Sequence, residues 1–317
     1  MNAVAASAAL AARSSTTSAA LAARPSTTSA PELRVGYIGL GAMGWPMASH
    51  LAKAGMLVGV YNRSADKSAR FAQEFGVPAL RSTAELAALC TVLLINVSAD
   101  QDVLDVVRAA MPGIKPGCVV IDHSTVSPQT AQTLKLELAK IGAEFLDAPV
   151  SGGVEGAKNA ALSLMVGGDA AVLARVMPIL TLMGKRITHM GSAGTGQATK
   201  AVNQVIIAGI AQGVCEALAL AEKLELPFDK LLSVLTGGAA NSWFLEKRGA
   251  TMLNDEFANG FKLGLLLKDL NIAASIGRDL GLTQTVVQQS ISDYTTLVAQ
   301  GRGDEEISAL IRKKRGA

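Results

Sequence analysis

The sequence predicts an α/β chain: a doubly wound, mostly parallel sheet followed by an all-α domain. Three observations carry that expectation. A strand, glycine turn, helix and strand fill Arg34 to Asn62. Short apolar runs then alternate with helix-like segments as far as Leu146. From about Gly194 long helical patterns replace the alternation. Strands alternating with helices give a parallel sheet covered on both faces by crossover helices. A length of 317 residues suits two domains, on ordinary domain sizes. The expected divisions are a tail at 1–32, the sheet domain at 33–193 and the helical domain at 194–317.

The first unit explains itself residue by residue. Val35 to Ile38 is a buried strand, Trp45 to Ala54 a helix stopped by Gly55, and Met56 to Tyr61 the second strand. Between strand and helix stands Gly39-Leu40-Gly41-Ala42-Met43-Gly44. In this spacing the first glycine makes the turn, the second admits a pyrophosphate, and the third lets helix and strand pack closely. The helix N-terminus then offers free N–H groups and a favourable dipole to the anion. A dinucleotide site is the expectation. After the second strand an NAD-binding unit usually carries Asp or Glu for the ribose 2′-OH. Here the residues are Asn62-Arg63-Ser64. The carboxylate that would repel a 2′-phosphate is missing, and Arg63 offers a fork of donors to it. NADP(H) is therefore preferred, with NAD(H) left open, and the alternative is that Arg63 is a solvated loop charge.

The alternation continues. Helices are expected over Ser64 to Phe75, Ser82 to Leu89 (capped by Ser82), Asp102 to Ala110 and Pro128 to Lys140. Between them Val77 reads as a short strand, followed by strands at Thr91 to Val97, Cys118 to Asp122 and Glu144 to Leu146. Ligands in such sheets lie outside the carboxyl ends of the strands. That singles out the loops Gly39 to Gly44, Val97 to Asp100, His123 to Pro128 and Ala148 to Gly153. In the second half, helices are expected over Gln197 to Leu224, Asp229 to Thr236, Phe261 to Leu280 and Thr283 to Gly301. The first, about 40 Å long at its rise per residue, suits a spine between domains and a dimer interface. Gly209 and Gly213 on one face of it would admit another helix closely.

Composition excludes several classes. Half the residues are apolar, 17% are charged and the net charge is +3. A sizeable core is easily built, and nothing argues for nucleic acid or an anionic membrane. Aromatics are 4%, too few for a base-stacking surface. Cys90, Cys118 and Cys215 are widely separated and read as reduced core thiols. With His50, His123 and His189 they give no metal-like spacing, so no metal is expected. No run approaches the roughly 18 charge-free apolar residues of a membrane span. The tail differs from the rest. Ala9 to Ala19 recurs as Ala20 to Ala30 with one substitution, rich in Ala, Ser and Thr. Such a segment is expected to be disordered. It reads either as an extension of a cytoplasmic protein or as an organelle transit peptide.

Three further stretches carry chemistry. Asp147 to Gly153, DAPVSGG, can aim backbone N–H groups at a carboxylate from Ser151, Gly152 and Gly153. Its alternative is a tight turn needing φ > 0. Lys200 stands one turn inside an apolar helix, with Asn203 and Gln204 on its face. Desolvation would lower its pKa toward neutrality, as a general acid or base needs; the alternative is snorkelling to solvent. Lys268 interrupts another apolar helix and could reach a cofactor or pair with Asp269.

These motifs together resemble the β-hydroxyacid dehydrogenases, which include 3-hydroxyisobutyrate dehydrogenase, tartronate semialdehyde reductase and the glyoxylate/succinic semialdehyde reductases. The resemblance covers about residues 33 to 300. It rests on GYIGLGAMGWPMASHLAKAG, IDHSTVSP, DAPVSGGVEGAKNAALSLMVGG, GTGQATKAVNQ and KDL. It implies a Rossmann domain plus an all-α domain, with the active site in the cleft between them and a homodimer or homotetramer through the helical part. It further implies Lys200 as general acid/base, Ser151, Gly152 and Gly153 on the substrate carboxylate, and Asn203 and Gln204 as substrate contacts. Thr125 and Lys268 would lie at the nicotinamide side, and Val97 would line the cofactor. The implied reaction is reduction of a small carboxylated aldehyde by NADPH, or its reverse. The chain departs from many members at Asn96-Val97-Ser98, where a Leu-Pro is common, so contacts to the adenosine side can differ. Asn241-Ser242-Trp243-Phe244 varies among members and fixes no substrate. Imine reductases share the architecture but typically lack the lysine; a non-catalytic NADP-binding protein is the other alternative.

Overall fold

Neighbouring residues of a strand face opposite sides of a sheet, and that alternation sorts the first half of this chain into two cores. The computed structural model describes residues 33–258 and 260–316. The Ala/Ser/Thr-rich tail, and the readings attached to it, lie outside them.

Strand β1 (Val35–Ile38) leads through α1 (Gly44–Lys53) to β2 (Leu57–Tyr61). Then follow α2 (Ala65–Phe75), α3 (Thr83–Leu89), β3 (Val92–Ile95), α4 (Asp100–Ala110), β4 (Val119–Asp122), α5 (Pro128–Ala139) and β5 (Glu144–Asp147). These five strands run parallel in the order β2-β1-β3-β4-β5. Val35, Tyr37, Leu94, Ile121 and Leu146 pack one face with Met47 and Leu51 of α1 and Phe71 of α2. Ile38, Leu93, Ile95, Val120 and Phe145 pack the other with Leu86, Val107 and Leu134 of α3, α4 and α5. Emptying one such position, Leu94→Ala, removes about 2–5 kcal/mol of stability. Ser82 caps α3 as expected, its hydroxyl accepting from the Glu85 N–H at 3.1 Å.

Two details differ from expectation. Val77 forms no strand; only Ala79 makes a single bridge to Val60. Pro78 has no N–H to give a ladder there, so pairing stops at one bridge. After β5 the chain adds β6 (Val150–Ser151), α6 (Gly153–Lys158), β7 (Leu162–Gly168), α7 (Ala170–Leu180) and β8 (Gly184–Gly191). β7 runs antiparallel to β5 and β6, and β8 pairs parallel with β7. Most of β8 is exposed. Its residues, GKRITHMG, are those of a solvated edge and lack the apolar run that marks a central strand.

From Thr195 on, the described elements are helical apart from one bridge. Helix α8 (Thr195–Lys223) is followed by α9 (Phe228–Thr236), α10 (Trp243–Leu253), α11 (Leu263–Asp279), α12 (Thr285–Ala299) and α13 (Leu310–Lys314). By length and composition α8 is apolar enough to cross a membrane, which the count of charge-free residues did not suggest. Yet Lys200, Gln204, Cys215 and Leu218 of α8 are buried against protein. A separate core gathers Cys215 and Leu218 with Leu266, Leu270, Tyr294 and Leu310. Gly209 touches Val286 of α12, whereas a side chain at Gly213 would meet open space. All three cysteines are buried free thiols.

Candidate active site

The glycine turn after β1 is shaped by three different constraints. Gly39 has φ +97, and a Cβ there would come within 2.0 Å of the Asn96 carbonyl oxygen. A Cβ on Gly44 would lie 1.9 Å from the Gly39 carbonyl oxygen, so this glycine lets α1 pack on the strand. Gly41 has nothing within 4 Å. Packing dictates the outer two glycines and leaves the middle one facing space, which fits close approach of a pyrophosphate. No side chain caps α1 at Met43, so its first N–H groups are free for an anion. Leu40 is buried and its N–H donates to Asn62 Oδ1 at 2.8 Å; Ala42 is exposed. The residues fit a dinucleotide.

At the adenosine end Asn62 is occupied on both sides, its Nδ2 donating to the Ser64 carbonyl at 3.1 Å. Arg63 and Ser64 are exposed. The guanidinium of Arg63 pairs with Asp102 Oδ1 at 3.2 Å.

The loop after β4 is the joint of the site. The Asp122 carboxylate accepts from the Ser124 N–H at 2.9 Å, and the Ser124 hydroxyl accepts from the Val97 N–H at 2.9 Å. Complete burial pushes the Asp122 carboxyl up to about 7. Two lysine-bearing helices grip the same loop. From α8, Gln197 Nε2 donates to the Ser124 carbonyl at 2.8 Å while its Oε1 accepts from the Val126 N–H at 3.1 Å. From α11, Lys268 Nζ donates to the Thr125 carbonyl. Thr125 is thus held by its backbone between the sheet and two helices.

Asp147, the first residue of DAPVSGG, sets where α8 begins. Its carboxylate accepts from the N–H groups of Gly194 at 2.7 Å and Gln197 at 2.9 Å. A carboxylate at a helix N-terminus also meets the positive end of its dipole. Gly196 has no room for a side chain, because a Cβ would lie 2.3 Å from the Met165 carbonyl. Further along the motif, Gly152 and Gly153 both have positive φ, +126 and +62, and are exposed beside the half-buried Ser151. Conformation alone therefore accounts for these two glycines.

One turn past Gln197 comes Lys200, 7% exposed, and it makes no hydrogen bond or ion pair among the described residues. Burial lowers its pKa to about 8, although Asp269 raises it and Lys268 lowers it further. On the same face a polar chain leads away. Asn203 Nδ2 donates to Gln204 Oε1 at 2.8 Å, and Gln204 Nε2 donates to Asp269 Oδ2 at 2.6 Å. Asp269 Oδ1 then pairs with Lys268 Nζ at 2.9 Å. Beside Lys268 a cleft of about 640 Å³ opens between α11 and the starts of α4 and α5, lined by Asp100, Ser127, Asn271 and Asp279 among others.

The sequence reading singled out Lys200, Lys268, Thr125, Asn203 and Gln204, and the fold joins these into one network. It leaves Arg63 and the Ser151 turn outside that network. Missed were Gln197, Asp122, Asp147 as a helix cap, and Asp269 as the link between lysines. Their signal was faint: a Gln and three Asp look like ordinary polar residues until their partners, many residues away, are known.

Comparison with known proteins gives the same picture. Residues 34–191 match the NAD binding domain of 6-phosphogluconate dehydrogenase. Residues 194–313 match the NAD-binding domain of NADP-dependent 3-hydroxyisobutyrate dehydrogenase. The 2-hydroxy-3-oxopropionate reductase of Escherichia coli K12 is 34% identical, over 88% of this chain and 96% of its own. The structure of Mycobacterium tuberculosis 3-hydroxyisobutyrate dehydrogenase with L-serine superposes with a TM-score of 0.82, at 33% identity, over 89% of this chain and 99% of that one. That of Psf3 in complex with NADP+ and 2-OPP superposes with a TM-score of 0.80, at 25% identity, over 89% and 99%. This chain belongs to the NAD(P)-binding β-hydroxyacid dehydrogenase family and is an oxidoreductase of that kind.

Proposed function

We propose that the protein interconverts a small carboxylated aldehyde, a semialdehyde or glyoxylate, and its hydroxyacid, with NADP(H) preferred over NAD(H). The observation that carries this reading is Lys200, a buried amine without an ion-pair partner, one helical turn from the residue that clamps the Thr125 loop. When bound, the nicotinamide supplies the hydride in reduction and accepts it in oxidation. Lys200 Nζ gives its proton to the carbonyl oxygen as negative charge develops there, and takes it back from the hydroxyl in the reverse direction. A pKa of about 8 keeps both forms populated near neutral pH.

Other residues position the substrate. N–H groups of the Ser151–Gly153 turn hold the carboxylate and so aim the carbonyl. Gln204 uses both ends of its amide within the protein, so it orients Asn203, which keeps its own Oδ1 for substrate. Thr125 and Lys268 stand on the cofactor side, with Arg63 taking the 2′-phosphate. The E. coli relative, named for reduction of a hydroxy-oxo acid, supports a substrate of this class. So does L-serine, a carboxylate with a β-hydroxyl, in the M. tuberculosis structure. Val202, Ile206 and Leu220 leave an exposed apolar stripe along α8, which supports assembly of a homo-oligomer through the helical part.

The test is initial-rate oxidation of NADPH and of NADH against glyoxylate, tartronate semialdehyde, succinic semialdehyde and methylmalonate semialdehyde. One acid turning over faster with NADPH is the expected result. Turnover faster with NADH would remove the cofactor assignment, and no turnover with any of the four would remove the substrate class.

A further inference from the structure

The adenosine end of the cofactor groove carries two opposite charges that reach across it. In the order β2-β1-β3, Arg63 follows β2 on one side of the glycine turn and Asp102 stands in the first turn of α4, after β3, on the other. They meet at 3.2 Å. Asn62 stands where a ribose-binding carboxylate is usual, and both ends of its amide are already bonded within the protein. Asp100, the other acid at the start of α4, is held by the Ser127 N–H at 2.8 Å and the Thr130 hydroxyl at 2.6 Å. Asp102 is thus the carboxylate at this end whose described partner is the arginine itself. The Arg63 side chain is 86% exposed and that of Asp102 33%, so their pairing is weak and exchangeable.

From this juxtaposition we infer that Asp102 is a specificity-determining residue for the cofactor, countering the 2′-phosphate that Arg63 attracts. The inference rests on Arg63 as the phosphate site proposed above. A 2′-phosphate must draw Arg63 away from Asp102 and tolerate a carboxylate beside it. An unphosphorylated ribose asks neither, and its 2′-OH can donate to the Asp102 carboxylate. Asp102 therefore holds selectivity for NADPH below what Arg63 alone would give. The missing acid of the β2 end is supplied, in part, from the β3 side.

Calorimetric titration of the full-length protein with NADPH and with NADH tests this without any aldehyde. Asp102→Asn is expected to tighten NADPH and weaken NADH, each by roughly two- to five-fold, as befits an exposed charge. Both shifts should shrink at high salt. Arg63→Ala is measured beside it and should weaken NADPH selectively. If Arg63→Ala does so while Asp102→Asn leaves the NADPH-to-NADH ratio unchanged, or weakens both cofactors alike, Asp102 is a bystander and the inference is overturned. If Arg63→Ala leaves NADPH binding untouched, the NADPH reading itself fails, and the inference with it.

Discussion

Helices α8 and α11 each carry one lysine into the same site, and the fold treats the two in opposite ways. Lys200 on α8 is buried without an ion pair, and its pKa falls to about 8. Lys268 on α11 has Asp269 at 2.9 Å and the Thr125 carbonyl as its acceptors. An amine buried alone is destabilised as a cation and releases its proton readily. An amine matched by a carboxylate is suited to holding a ligand or a loop. The difference between a proton-transfer group and a binding group here is one aspartate, and it sits beside the second lysine, not the first.

The largest test of that contrast is Lys200→Met against Lys268→Met. Losing Lys200 should cut turnover by about 10²–10⁴-fold while cofactor affinity, read by titration, stays within about three-fold of wild type. Lys268→Met should do the reverse, weakening cofactor affinity by roughly ten-fold or more with a smaller loss in saturated turnover. Matching profiles in the two variants would erase the distinction.

A second effect concerns pH. Reduction uses protonated Lys200, so its rate should decline as pH rises through about 8. Oxidation uses the neutral amine and should increase over the same range. Rate profiles in both directions should mirror each other; a reduction rate flat from pH 7 to 10 would remove Lys200 as the proton donor.

The smallest and most discriminating change is Asp269→Asn. Asp269 raises the Lys200 pKa, so removing its charge should move the alkaline decline of reduction to lower pH. A displacement of roughly half to one unit is expected, with Gln204 still able to donate to the amide oxygen. An unmoved profile would mean that the two lysines are electrostatically independent.

The sequence made some of this legible and hid the rest for a physical reason. The glycine turn could be read because its three constraints act within a few residues: a positive φ at Gly39, open space at Gly41 and a helix contact at Gly44. Lys200 was readable as an anomaly, one charge in an apolar helix. Gln197 and Asp147 were not, since their roles are hydrogen bonds to Val126, Ser124 and Gly194, far along the chain. The β7–β8 strands were missed because glycine and exposed polar residues blur the apolar pattern.

What the sequence by itself determined is the local physics: a buried parallel sheet, a dinucleotide turn, and helices whose apolar faces must find partners. Those follow from periodicity and from φ preferences, which act between near neighbours. Tertiary structure alone decided which lysine would stand without a partner and which would be paired. That depends on where Asp269 falls when α11 packs on α8, and a charge interacts with whatever lies within a few ångströms, however distant in the chain.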